Sequence, residues 1–207
     1  MSSVHAVLFD LDGVLVDTYE AWLAVVREAA RRFGAPEVGR SAFDATWGQS
    51  IEEDTALLVP GATVADVAKF YDEHFPEHLD AVRPGPDAAV ALAGLRSRAI
   101  PSACVTNSPL PLARAILRAA GLAGLLDTVG GAGEAWRPKP APDMVLEACR
   151  RLGVPPGSAV LVGDSRFDRE AAAAAGVPFA LYDVRRNESL ARTVDGIVGW
   201  VSEGDVR

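Results

Sequence analysis

The chain has 207 residues, a formal net charge of −8 and two cysteines. That length allows one large domain or a domain carrying a smaller insert. The acidity excludes a nucleic-acid backbone or an anionic membrane surface as main partner, since both call for clustered Lys and Arg. Cys104 and Cys149 are too few for a disulfide framework. With no positive segment ahead of a short first apolar run, the expectation is a soluble cytoplasmic protein with two buried thiols.

Val4–Asp10 is a short apolar run ending on an acid, the pattern of a strand buried on both faces of a parallel sheet. Leu11–Asp17 follows, with Gly13 permitting a tight turn after Asp10 and Asp12. Tyr19–Phe33 has helical periodicity, with Trp22, Val25, Val26, Ala29, Ala30 and Phe33 on one face. Two further helices are predicted near Ser50–Val59 and Thr63–Leu79, the second capped by Thr63 with Asp66 in its first turn. No strand pattern falls between Thr18 and Val82, so residues 18–82 read as an all-helical insert, and Pro84-Gly85-Pro86 marks the way back. Helices are then predicted at Asp87–Arg98, Leu110–Ala120, Ala141–Leu152 and Phe167–Ala175. They alternate with strands at Pro101–Val105, near Val129, at Ala159–Val162 and at Val177–Leu181. Such alternation predicts an α/β fold, a Rossmann-like parallel sheet with helices on both faces (residues 1–17 and 83–207), carrying the small helical insert.

Polar groups fall just past the strand ends, where open α/β sheets bind ligands. Asp10 and Asp12 follow the first strand, Thr106 and Asn107 the Ser102–Val105 run, and Asp164 the Val160–Gly163 run, with Asp168 close behind. So many carboxylates at one sheet edge imply a bound cation, and an oxygen-only ligand set suits Mg²⁺. The chain uses Arg almost wherever a cation is wanted; Lys69 and Lys139 are its only lysines. A lysine between prolines fits a site needing a compact point charge rather than a planar fork. Read alone, Asp10 and Asp12 fit a turn and a cap, Thr106-Asn107-Ser108 fits an N-cap, and Asp164 fits an ordinary cap. His74 and His78, four residues apart, have metal-binding spacing but no evident third ligand, and read as a polar face. Lys69, among Asp66, Asp72 and Glu73, reads as a surface ion-pair partner.

Taken together, Asp10-Leu11-Asp12-Gly13-Val14-Leu15-Val16-Asp17, Thr106-Asn107, Lys139 within Arg137–Asp143, and Gly163-Asp164-Ser165-Arg166-Phe167-Asp168 resemble the four ordered motifs of haloacid dehalogenase superfamily phosphatases. The resemblance extends from Val4 to about Asp183 and includes a helical cap between the first two motifs. It implies Asp10 as nucleophile, Asp12 as general acid and base, and Thr106 with the amide of Asn107 as phosphoryl holders. It implies Lys139 as the neutralising charge, and Asp10, Asp164 and the Asp12 carbonyl as Mg²⁺ ligands with Asp168 supporting them. Dehalogenases and phosphonate hydrolases of the superfamily lack the second acid of the first motif, so Asp12 favours phosphate esters. The cap segment Thr46–Ser50 is nearer to phosphoglycolate phosphatase-like proteins than to phosphosugar mutases resembling beta-phosphoglucomutase, which stay as the alternative. A non-catalytic binding protein is the alternative from another class. Trp47, Gly48 and Gln49 are expected in the cap's substrate loop. A small phosphate ester is the expected partner, the protein acting as monomer or homodimer. Cap opening is expected to hinge near Val14–Thr18 and Arg83–Gly85.

Overall fold

The computed structural model of the chain describes residues 4–133 and 136–202, with side chains as far as residue 199. Five strands, β1 (Ala6–Phe9), β4 (Ser102–Pro109), β5 (Thr128–Ala132), β6 (Ala159–Gly163) and β7 (Phe179–Leu181), form one parallel sheet in the order β5-β4-β1-β6-β7. β1 is central because all four of its residues are apolar and buried. Its side chains alternate between two packed layers, as strand geometry requires. Val7 and Phe9 join one layer, while Ala6 and Leu8 face Met144, Val145, Ala171 and Ala172 in the other. That second layer is supplied by α7 (Asp143–Leu152) and α8 (Arg166–Ala175). Ala171, Ala172 and Ala175 are the buried face of α8, so its alanine run serves close approach to the sheet.

The opposite layer holds α5 (Ala88–Ser97) and α6 (Leu110–Ala119), and outside the helical insert two features are found beyond the predicted set. One is α9 (Leu190–Ser202), which packs on α5 through the buried Leu190 and Val194. Gly196 and Gly199 weaken its local helix signal, and tertiary packing overrides that weakness. The other is a two-stranded antiparallel ribbon, β2 (Val16–Asp17) with β3 (Arg83–Pro84), too short for a period to show.

Between β2 and β3 the described chain is helical: α1 (Tyr19–Arg32), α2 (Arg40–Thr46), α3 (Ile51–Leu58), α4 (Val64–His74) and a 3₁₀ segment, Phe75–Ala81. Trp22, Val25, Val26, Ala29 and Ala30 of the predicted face of α1 are buried, while Phe33 is the half-buried residue that ends the helix. α3 starts with a reciprocal capping box, Ser50 with Glu53, and Thr63 caps α4 as expected. α2 is unforeseen: only Phe43 and Thr46 of its seven residues are buried, leaving little apolar periodicity to read. His74 stacks on Phe70 with ring centroids 3.8 Å apart, and His78 meets Glu28 at 3.3 Å, so the two histidines serve packing and a surface pair. Lys69 pairs with Glu73 at the surface. Cys104 and Cys149 are buried free thiols.

Candidate active site

The carboxyl ends of β1, β4 and β6 meet under the helical segment. At the end of β1 the Asp10 N–H continues the ladder to the Val162 carbonyl (2.9 Å), and one of its carboxylate oxygens accepts from the Leu11 N–H (2.7 Å). The chain then turns sharply, with Gly13 at φ +83°. A Cβ on Gly13 would stand 2.0 Å from an Asp164 oxygen, so conformation and space both demand glycine here.

That turn presents the Asp12 carboxylate to four donors. Oδ1 accepts from Thr18 Oγ1 (2.6 Å) and Trp22 Nε1 (2.9 Å), and Oδ2 from Ser108 Oγ (2.7 Å) and, more weakly, Thr106 Oγ1 (3.4 Å). Thr18, Trp22 and Ser108 were not among the expected site residues. A legible signal existed for Trp22: a tryptophan on a buried helix face must find an acceptor for its N–H.

Lys139, 1% exposed, reaches in from the proline-rich loop before α7 and satisfies all three ammonium hydrogens. It donates to the Val105 carbonyl (3.0 Å), contacts Asp10 Oδ1 at 2.8 Å and Asp168 Oδ1 at 2.6 Å. Its backbone is clamped by the Asn107 side chain, whose Oδ1 accepts from the Lys139 N–H (2.8 Å) while Nδ2 donates to the Lys139 and Gly48 carbonyls (3.0 Å each). The capping reading of Thr106–Ser108 gives way. β4 runs on to Pro109, which opens α6 with no side-chain cap. Asp164 is not a cap either: Ser165 caps α8, in a reciprocal box with Asp168. Asp168 therefore has a structural and an ionic task, one oxygen for the cap and the other for Lys139.

Asp164 Oδ2 accepts from the Trp47 indole (2.7 Å), while Oδ1 is buried with no hydrogen-bond partner. One oxygen each from Asp10, Asp164 and Asp168 lie within 4.8 Å of one another. Burial raises Asp10 well above the usual carboxylate range, Asp168 adds to the rise, and Lys139 only partly counters it. Burial and then Asp168 push Asp164 up to about 7. Burial opposes the charge on Lys139, yet Asp10 and Asp168 outweigh it and hold the lysine protonated. Three clustered carboxylates thus face one ammonium. The charge excess, the partnerless Asp164 oxygen and the all-oxygen donor set fit a hard divalent cation.

Above Asp10 and Asp12 lies a cavity of about 60 Å³. Thr106, Asn107 and Ser108 line it from the sheet, and Trp47, Gly48, Gln49, Asp54 and Tyr71 from the helices. All of the expected substrate-loop residues are therefore at the site. Gly48 has φ +85°, and a Cβ there would come within 2.9 Å of Ser165, so this loop lies directly against the sheet's ligand edge.

Residues 7–182 match the haloacid dehalogenase-like hydrolase family. The chain is a haloacid dehalogenase-like hydrolase. It is 33% identical over 185 residues to the plasmid-encoded phosphoglycolate phosphatase of Cupriavidus necator, across 85% of this chain and 79% of that one. Its fold superposes on CbbY from Rhodobacter sphaeroides, solved in complex with phosphate, with TM-score 0.79 and 25% identity over 91% of both chains. Beta-phosphoglucomutase from Clostridium difficile shares the fold at TM-score 0.82 and 20% identity, over 99% of this chain and 100% of that one. Within this family the chain is a phosphatase.

Proposed function

We propose that this hydrolase is a Mg²⁺-dependent phosphatase that cleaves a small organic phosphate monoester through a phosphoryl-enzyme intermediate on Asp10. The observation that carries the reading is the pairing at the cavity floor: a buried carboxylate salt-bridged to a buried lysine, beside a second carboxylate held by hydroxyl and indole donors.

Asp10 attacks phosphorus in line, forming an acyl-phosphate bond as the ester P–O bond breaks. Asp12, oriented by Thr18, Trp22 and Ser108, gives its proton to the departing alkoxide. It then takes a proton from the water that attacks the phosphorus, returning inorganic phosphate and free Asp10. Lys139 offsets charge on the nucleophile and the transferring group. Asp10, Asp164 and the Asp12 carbonyl would hold Mg²⁺, which supplies charge stabilisation to the phosphoryl oxygens. Asp168 positions Lys139 from behind.

Residues 18–82 act as a cap on a core of residues 1–17 and 83–207. Three contacts support a closed arrangement: Trp47 on Asp164, Gly48 on Asn107, and Trp22 on Asp12. The β2–β3 ribbon and the Gly85 N–H bond to the Leu15 carbonyl, where the two segments join, support a hinge at this point. The named phosphatase relative and the phosphate held by CbbY support phosphate chemistry and make phosphoglycolate one candidate ester. A phosphosugar mutase must also hold a distal phosphate, and among the described residues no Lys or Arg lines the cavity, which favours hydrolysis. No helix among the described residues is long and apolar enough to cross a membrane.

Phosphate release from a panel of small monoesters, with and without Mg²⁺, tests the reading. Mg²⁺-dependent release by the wild type and none by Asp10→Asn is the expected result. Release that survives Asp10→Asn, or that ignores Mg²⁺, overturns it.

A further inference from the structure

The cavity's helical wall has a chemistry of its own. Asp54 stands in the first turn of α3, beside Glu52 and Glu53. Its Oδ1 accepts from Gln49 Nε2 at 2.7 Å, and a carboxylate so engaged keeps acceptor capacity. The Tyr71 hydroxyl is buried and lines the same cavity; it lies close enough to Asp54 for the two groups to perturb each other but makes no hydrogen bond of good geometry. A buried hydroxyl so poorly aligned with its neighbour gains from a ligand group that completes its bonding.

The balance of charge is one-sided. Asp10, Asp12 and Asp54 all face the cavity, and no Lys or Arg among the described residues lines it. Lys139 is spent on Asp10 and Asp168. Arg185 stacks on the Trp47 ring at 5.5 Å but lines a separate cavity. The helix N-terminus that elsewhere welcomes an anion is here occupied by its own acids. The volume of about 60 Å³ holds on the order of five water-sized groups at ~10–15 Å³ each, so the organic part is small.

We infer that Asp54, Gln49 and Tyr71 form the leaving-group subsite, selecting phosphate esters of small alcohols that carry a hydrogen-bond donor, hydroxyl or ammonium, and no negative charge. Above pH 7, where its carboxyl is ionised, Asp54 accepts from that donor and repels a leaving-group carboxylate, while Tyr71 offers its hydroxyl in return. Burial, which pushes Asp54 up to about 7, is the same pressure that a donor on the substrate relieves. The inference rests on the phosphatase reading and narrows its candidate esters, setting phosphoglycolate behind those that carry a donor.

The test compares kcat/KM at saturating Mg²⁺ and about pH 8, where Asp54 is ionised, for glycerol 1-phosphate, phosphoethanolamine and phosphoglycolate, in the wild type and in Asp54→Asn. In the wild type, phosphoglycolate is expected to trail the better of the other two by about tenfold or more, about 1.4 kcal/mol. Asp54→Asn is expected to close that gap by about tenfold. The leading ester distinguishes hydroxyl from ammonium as the donor. Phosphoglycolate leading in the wild type overturns the inference while leaving a phosphatase standing. An unchanged ratio in a folded Asp54→Asn does the same, and if that variant does not fold, the wild-type ranking decides. No turnover of any ester overturns the phosphatase reading and this inference with it.

Discussion

Asn107→Ala should be damaging even though the side chain carries no charge and attacks nothing. It removes three buried or part-buried hydrogen bonds at once, two to the Lys139 backbone and one to Gly48. At roughly 1 kcal/mol net each, the loss is about 3 kcal/mol. For a chain of this size each kcal/mol moves Tm by about 2–4 °C, so the midpoint should fall by about 6–12 °C. Lys139 would also lose the clamp that aims its ammonium at Asp10, and a displacement near 1 Å costs on the order of 10²-fold in rate. Thermal unfolding by circular dichroism and kcat on any turned-over ester would measure both. Asn107→Asp keeps the acceptor for the Lys139 N–H but sets a carboxylate against two carbonyls, so it should be no milder. A Tm change under about 2 °C with kcat inside about twofold would refute the clamp.

Trp22→Phe and Ser108→Ala each remove one donor from Asp12 and should lower kcat by about tenfold with little change in KM; unchanged kcat in both would mean that Asp12 is oriented otherwise. Mg²⁺ at about 100 times its Kd should stabilise the wild type by about 2.7 kcal/mol, and Asp164→Asn should abolish that shift; equal midpoints with and without Mg²⁺ would contradict the metal site. Asp54 is raised from 3.8 to about 7 by burial, so the folded state holds its proton more tightly than the unfolded chain does. Stability should therefore fall as pH rises from about 4 to about 7, by up to about 4 kcal/mol from this group, and Asp54→Asn should flatten that slope; equal slopes would rule the cause out.

Much of this was written locally. β1 and β6 announce themselves as apolar runs capped by acids, and α1 as an unbroken stripe. Of the site's ionic members, Asp10, Asp12, Lys139 and Asp164 were legible because each sits past a strand end or in a proline-marked loop, and Asp168 because it lies close behind one, in the first turn of α8. What stayed hidden depends on contacts distant in sequence. The Asp12 donor Ser108 comes from β4, 96 residues away, and Trp47 crosses 117 residues to Asp164. Tyr71 is a buried residue of α4, and only the fold sets it on a cavity wall. α9 was missed because its burial comes from α5 rather than from its own propensity.

The account stands most directly on Asp10. Acid quenching during turnover of a reactive ester with Mg²⁺, followed by mass spectrometry of the Asp10 peptide, should find a phosphoryl group on that carboxylate and none in Asp10→Asn. Steady turnover with Asp10 unmodified, and with the asparagine variant still active, would contradict it.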